Sequence, residues 1–144
     1  MHVALEGDAW HGHAVEALWA EALDDGTWLV RSVPFFAFEL AAEDEVEVEK
    51  RDDGALWFTR VVRRGGSSVY RVLADGGLHT AGAEARLEAL EALDCYVERR
   101  DAKLAAIDVP PQADLDDVYA ILEDGAEAGV WEFEEGWAAV GDEG

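Results

Sequence analysis

The sequence predicts an α+β protein: a small strand-rich barrel of SH3-like type followed by a ferredoxin-like βαββαβ unit, packed as one compact body. Three observations carry that expectation. Between Arg31 and Leu73 aromatic and β-branched residues fall in short runs separated by turn signals, as strands in close succession do. Beyond Leu73 the apolar spacing lengthens to that of a helix twice, once after Thr80 and once after Asp114. Apolar runs on either side of those two stretches supply four further strands, in the order strand, helix, strand, strand, helix, strand. The expected division is a barrel-like unit over residues 1–66 and an α+β unit over 67–144.

In chain order, Val3 and Leu5 suit a short strand ahead of a Gly7-Asp8 turn. Val15, Leu18, Trp19 and Leu23 fit either a helix or a strand. The Asp24-Asp25-Gly26 turn and the Thr27–Val30 run that follows it favour a strand. Pro34 holds Val33 extended, and Phe35, Phe36 and Phe38 are expected in the core, each worth about 1.5–3 kcal/mol when buried. An exposed aromatic platform is the alternative. From Asp44 to Glu49 the alternation is strict: Val46 and Val48 point inward, while Glu45, Glu47 and Glu49 form an acidic outer face. Asp52-Asp53-Gly54 turns the chain, Leu56–Val62 pairs back, Gly65-Gly66 turns it again, and Val69–Leu73 is the next strand.

In the second half, Thr80 caps a helix carrying Ala83, Leu87, Leu90 and Leu93 on one side. Cys95–Arg99 and Lys103–Val109 read as strands around an Arg100-Asp101-Ala102 turn, and Pro110-Pro111 ends the second. Asp114 caps another helix, with Asp117 at the capping-box position and Leu115, Val118, Tyr119 and Leu122 on its apolar face. Gly125 and Gly129 are expected to end that helix, and Val130–Glu134 to form the last strand.

Charge restricts function more than any motif does. The chain has 144 residues, half of them hydrophobic, six Trp and a formal charge of −22. That composition folds, but so much charge of one sign opposes compaction and argues against unaided binding to nucleic acid or anionic membranes. A lone Cys95 makes no disulfide framework and fits a cytoplasmic location. The first eight residues lack the basic and apolar regions of a signal peptide. The His11-Gly12-His13 triplet has no neighbouring carboxylate or thiol, so neither metal nor cofactor is expected.

Several segments resemble a bacterial family known as domain of unknown function 4265. They are Leu18–Glu21, Val33–Ala37, Asp44–Glu47, Arg60–Val62 leading to Ser68–Val72, Ala106–Pro110 and Gly129–Gly136. The resemblance spans about residues 15 to 137. The family usually carries Ser-Gly-His-Ser before its Tyr-Arg pair, where this chain has Gly65-Gly66-Ser67-Ser68. The resemblance implies no activity and transfers no catalytic residue.

Two binding expectations follow from the residues. The first is the C-terminal acidity: no Lys or Arg follows Lys103, while Asp116, Glu123, Asp124, Glu127, Glu132 and Glu134 gather beside Trp137. A surface of one sign steers an oppositely charged partner, so the leading expectation is a non-enzymatic protein that masks a basic partner protein, concretely an immunity protein or antitoxin acting on a toxin. The second expectation is a small-ligand or regulatory domain holding an anion at Arg60, Arg63, Arg64 and Arg71 around the glycine turn. Against it stands a charged hairpin whose arginines pair with acidic strands. No catalytic residue is assigned: Asp108 lacks a partner, Cys95 suits a buried apolar site, and Ser67 and Ser68 lack the setting of a nucleophile.

Overall fold

The computed structural model describes residues 1–6 and 10–139. Its elements are β1 (His2–Ala4), β2 (Val15–Ala17), β3 (Ala20–Ala22), β4 (Trp28–Val30), β5 (Glu45–Lys50), β6 (Leu56–Arg63), β7 (Ser68–Leu73), α1 (Ala81–Ala92), β8 (Tyr96–Arg99), β9 (Leu104–Val109), α2 (Leu115–Glu127) and β10 (Glu132–Trp137). The architecture is mixed α+β. The expected Gly7-Asp8 turn and the terminal acids Asp142 and Glu143 lie outside the described residues.

The first six strands form one sheet in the order β2-β1-β6-β5-β4-β3. Its two edge strands are consecutive in the chain, with only Leu18 and Trp19 between them. Three residue steps span at most about 11 Å, so the sheet must curl until its edges approach. Val3, Leu18, Val30, Leu40 and Val46 fill the inside of that curl. The last four strands form a second sheet, β10-β7-β9-β8, antiparallel throughout.

Alternation along β7 and β9 gives the second sheet two apolar faces. Tyr70, Val72, Ala105 and Ile107 pack against Leu87 and Leu90 of α1 and Val118 and Leu122 of α2. On the other face Val69 and Ala106 meet Val33, Ala41 and Ala42, from the segment joining β4 to β5. That segment is the filling between the two sheets. Both helices start where their caps predict. The Thr80 hydroxyl accepts the Ala83 N–H, and the Asp114 carboxylate accepts those of Asp116 and Asp117.

The structure differs from the sequence expectations in several places. Residues 14–23 hold two short strands, because the chain leaves β2 at one sheet edge and re-enters as β3 at the other. Of the acidic outer face expected at Glu45, Glu47 and Glu49, Glu45 is buried at 8% exposed, and Asp44 ahead of it is fully buried. Register shifts at Glu45/Val46 and Glu47/Val48 break the alternation there. Gly125 lies inside α2, and Trp131 precedes the last strand and packs in the core. Tyr119 sits at the rim of the apolar stripe, 43% exposed, with its ring edge-on to Phe133 at 5.6 Å. Of the three Phe residues only Phe36 is buried; Phe38 is 53% exposed, with its ring centre 5.0 Å from the Arg71 guanidinium carbon.

Candidate functional site

The four arginines expected around one anion are committed to four different carboxylates. Arg60 and Arg63 project from β6 and pair with Glu47 and Glu45, their register partners on β5. Arg64 donates to Asp44 Oδ2 at 3.0 Å and to the Glu39 carbonyl at 2.8 Å, and its guanidinium stacks 3.6 Å from the centre of the Trp137 ring. Arg71 is 1% exposed; Nη1 donates to the Ala37 carbonyl at 2.8 Å and Nε to Glu134 Oε1 at 3.2 Å. Burial lowers the Arg71 pKa, and the Glu134 carboxylate opposes that shift. The glycine turn is also engaged, since the Gly65 N–H donates to Asp44 Oδ1 at 3.0 Å. The turn and its arginines therefore form a structural seam, because acids in register on the adjoining strands reach them first.

Two buried carboxylates that the sequence did not single out organise this region. Glu16 is 7% exposed and accepts three successive backbone N–H groups, from Phe35 (2.6 Å), Phe36 (3.1 Å) and Ala37 (2.9 Å). Asp44 gathers the Ala41 and Gly65 N–H groups together with Arg64. Each supplies acceptors to an irregular segment that has no strand partner of its own. The sequence trace was faint: an acid between Val15 and Leu18, and an acid opening a strand.

The C-terminal acids divide into two groups. Asp116, Glu123, Asp124, Glu127 and Glu132 are exposed. Asp124 is met by Arg86 of α1 at 2.9 Å. Glu134, by contrast, faces the gap between the sheets and is tied to Arg71, with its second oxygen 3.3 Å from the indole nitrogen of Trp10. Trp137, expected among the partner-binding residues, is half-buried beneath Arg64, and its Nε1 has no hydrogen-bond partner among the described residues. Eight of the 11 Lys and Arg residues lie in ion pairs among the described residues. Five of those pairs belong to the curled sheet and its contact with the second sheet. The helix α2 carries five exposed acids, Asp116, Asp117, Glu123, Asp124 and Glu127, of which Arg86 meets only Asp124.

The remaining candidates are held in the fold. Asp108, on the inner strand β9, has its pKa pushed up to about 6 by burial and then by the nearby Glu43 carboxylate, with partial relief from Ser67. Its Oδ1 has no partner among the described residues. Burial pushes the Cys95 thiol up to about 11, which keeps it protonated and unreactive. Ser67 and Ser68 are both 3% exposed, and the Ser68 hydroxyl accepts the Ala139 N–H. His11 and His13 lie with ring centroids 4.6 Å from that of Phe36.

These landmarks match those of a known family: its model, described as domain of unknown function 4265, covers residues 16–133. The chain belongs to this family. A hypothetical protein from Neisseria gonorrhoeae has a similar crystal structure, with a TM-score of 0.80 over 94% of this chain and 93% of that one. At 22% identity the likeness is one of fold. No curated protein matches the chain. Among the described residues no helix is long and apolar enough to cross a membrane.

Proposed function

We propose that this member of the family is a non-catalytic binding protein whose acidic helix layer covers a basic surface on a partner protein. The observation that carries the reading is charge segregation. Five arginines are engaged in ion pairs within and between the sheets, while Asp116, Glu123 and Glu127 stand exposed on α2 without an ion-pair partner among the described residues. Exposed acids on a rigid, capped helix act mainly on the rate of encounter. An immunity protein or antitoxin covering a toxin is the concrete form, in a cytoplasmic setting that suits a free, buried Cys95. The finer fold reading belongs with it. The β7–β10 unit reads as ferredoxin-like from its element and strand order, the curled sheet as SH3-like, with the division near residue 66.

The test is kinetic. The partner that co-elutes from the native host is identified, and its association rate with the protein is measured at low and moderate salt. A rate that falls steeply with salt supports the reading; a salt-independent rate removes its main support.

A further inference from the structure

A cavity of about 420 Å³ lies between the loop at residues 10–13 and the turn that joins β8 to β9. The loop brings Trp10, His11 and His13 to it, and the turn brings Arg100 and Lys103. Trp10 is 53% exposed, His13, Arg100 and Lys103 are exposed, and His11 is half-buried. Three of these groups gather on the buried Phe36 ring: the His11 and His13 ring centroids lie 4.6 Å from its centre and the Arg100 guanidinium carbon 5.0 Å. Gly12, at φ 73°, shapes the loop so that the His13 N–H reaches His11 Nδ1 at 2.9 Å. A ring nitrogen that accepts carries no proton, so the neutral His11 ring has its N–H at Nε2 and donates from there. Asp101 shapes the turn, its Oδ1 accepting the Lys103 N–H at 2.9 Å and the Leu104 N–H at 2.8 Å.

Local charge selects the kind of ligand. Arg100 meets only Asp101, its neighbour in the chain, at 3.5 Å, and Lys103 has no ion-pair partner among the described residues. The other carboxylates close by are engaged: Glu16 accepts three backbone N–H groups, and Glu134 is paired with Arg71. Two cations against one carboxylate leave a local positive surplus in a chain of net charge −22, so an anion is favoured here and repelled elsewhere. A guanidinium and an ammonium on one short turn suit the several oxygens of a phosphate. The aromatic surface comes from the loop and the cations from the turn facing it. A ligand that bridges them carries a flat ring at one end and an anion at the other. Trp10, its indole N–H held on Glu134 Oε2 at 3.3 Å, is the stacking surface, and the volume is that of a small-molecule site.

We propose that this cleft binds a nucleoside monophosphate, with its base on Trp10, its phosphate on Arg100 and Lys103, and His11 Nε2 donating to the sugar between them. The site is separate from the acidic helix layer, so either assignment stands without the other.

The experiment is an NMR titration of the full chain at low salt, following backbone amides, with adenosine monophosphate, adenosine, inorganic phosphate and phosphotyrosine amide as probes. Adenosine monophosphate should shift the signals of residues 10–13 and 100–103 together and saturably. It should bind roughly tenfold more tightly than inorganic phosphate, which lacks the base, and roughly tenfold more tightly than adenosine, which lacks the charge. Phosphotyrosine amide should bind more weakly than the nucleotide. Arg100→Gln and Lys103→Gln, both at exposed positions, should each weaken the nucleotide roughly tenfold. Lys50→Gln, the same change of charge on β5, should leave it within about twofold. Trp10→Ala should bring the nucleotide down to the level of inorganic phosphate. Absence of saturable shifts, equal binding of the nucleotide and either of its parts, tighter binding of phosphotyrosine amide, insensitivity to Trp10→Ala, or an equal loss in Lys50→Gln and Lys103→Gln would each overturn the proposal.

Discussion

The indole ring of Trp131 occupies the space that a side chain at Gly125 would need, so that even a methyl group there would overlap it. The indole N–H reaches back to the Leu122 carbonyl at 3.0 Å, which fixes the ring on α2. Gly125→Ala gains about 1 kcal/mol of helix propensity but forces the ring out of a buried site, at a cost of about 1–3 kcal/mol for overpacking. The expected outcome is net destabilisation, seen as a lower urea midpoint with unchanged slope. A variant as stable as the parent would show that Trp131 repacks freely.

Arg63 and Arg64 are neighbours with unequal roles. The Arg63 side chain is 73% exposed, so Arg63→Gln should shift stability by less than about 1 kcal/mol. Arg64 faces the fully buried Asp44 and stacks on Trp137, and Arg64→Gln leaves that carboxylate without its cation. A loss of about 2–3 kcal/mol is expected by urea unfolding. Equal effects at the two positions would contradict the buried pair.

Arg71 and Glu134 form a pair with one member 1% exposed. Glu134→Ala strands the guanidinium beneath Phe38 and should cost about 3–5 kcal/mol. Glu134→Gln keeps an acceptor for Nε and should cost less. Thermal unfolding of the two variants orders them, and an equal loss would remove the assigned role of the hydrogen bond.

Asp108 gives a pH dependence of definite sign. Its folded pKa of about 6 lies above the ordinary 3.8, so between those values the native form holds a proton that the unfolded chain has released. Its contribution to stability therefore falls as pH rises from about 4 to about 6, and the deficit is complete above that. Asp108→Asn removes it. The variant should be about 1–3 kcal/mol more stable than the parent at pH 7 and equal to it near pH 4. A variant less stable at pH 7 would mean that the carboxylate is held by attraction.

These variants also mark where sequence was informative. Thr80 and Asp114 announced their helices because a cap is a local event, and the β-branched run Val69–Leu73 after the Gly65-Gly66 turn announced a strand for the same reason. Gly125 was misread as a stop, because glycine disfavours helix on propensity and nothing local reveals the indole six residues on. Arg71 was visible as a charge, but its burial depends on Phe38, Ala37 and Gly136, which arrive from distant segments. The acid at Glu45 looked outward by period alone, and a register shift beside it breaks that period.

The acids of α2 separate a steering role from a solvating one. Asp116, Glu123 and Glu127 are exposed and make no ion pair among the described residues, whereas the charge of Asp124 is matched by Arg86 at 2.9 Å. Changing the first three to Asn, Gln and Gln takes the formal charge from −22 to −19, that is −22 + 3. Surface changes of this kind move stability by no more than about 0.5 kcal/mol each, and relief of self-repulsion should raise the melting temperature slightly at low salt. Association with the co-eluting partner should slow by roughly tenfold at low salt, and its salt dependence should flatten. Asp124→Asn removes a charge that Arg86 already screens and exposes that cation, so its effect on encounter should stay close to that of any one of the three. The dissociation rate should hold in both variants, because rim charges act on approach more than on lifetime. Stopped-flow rates at two salt concentrations decide the matter. If the triple variant associates as fast as the parent at both, Asp116, Glu123 and Glu127 serve solubility alone.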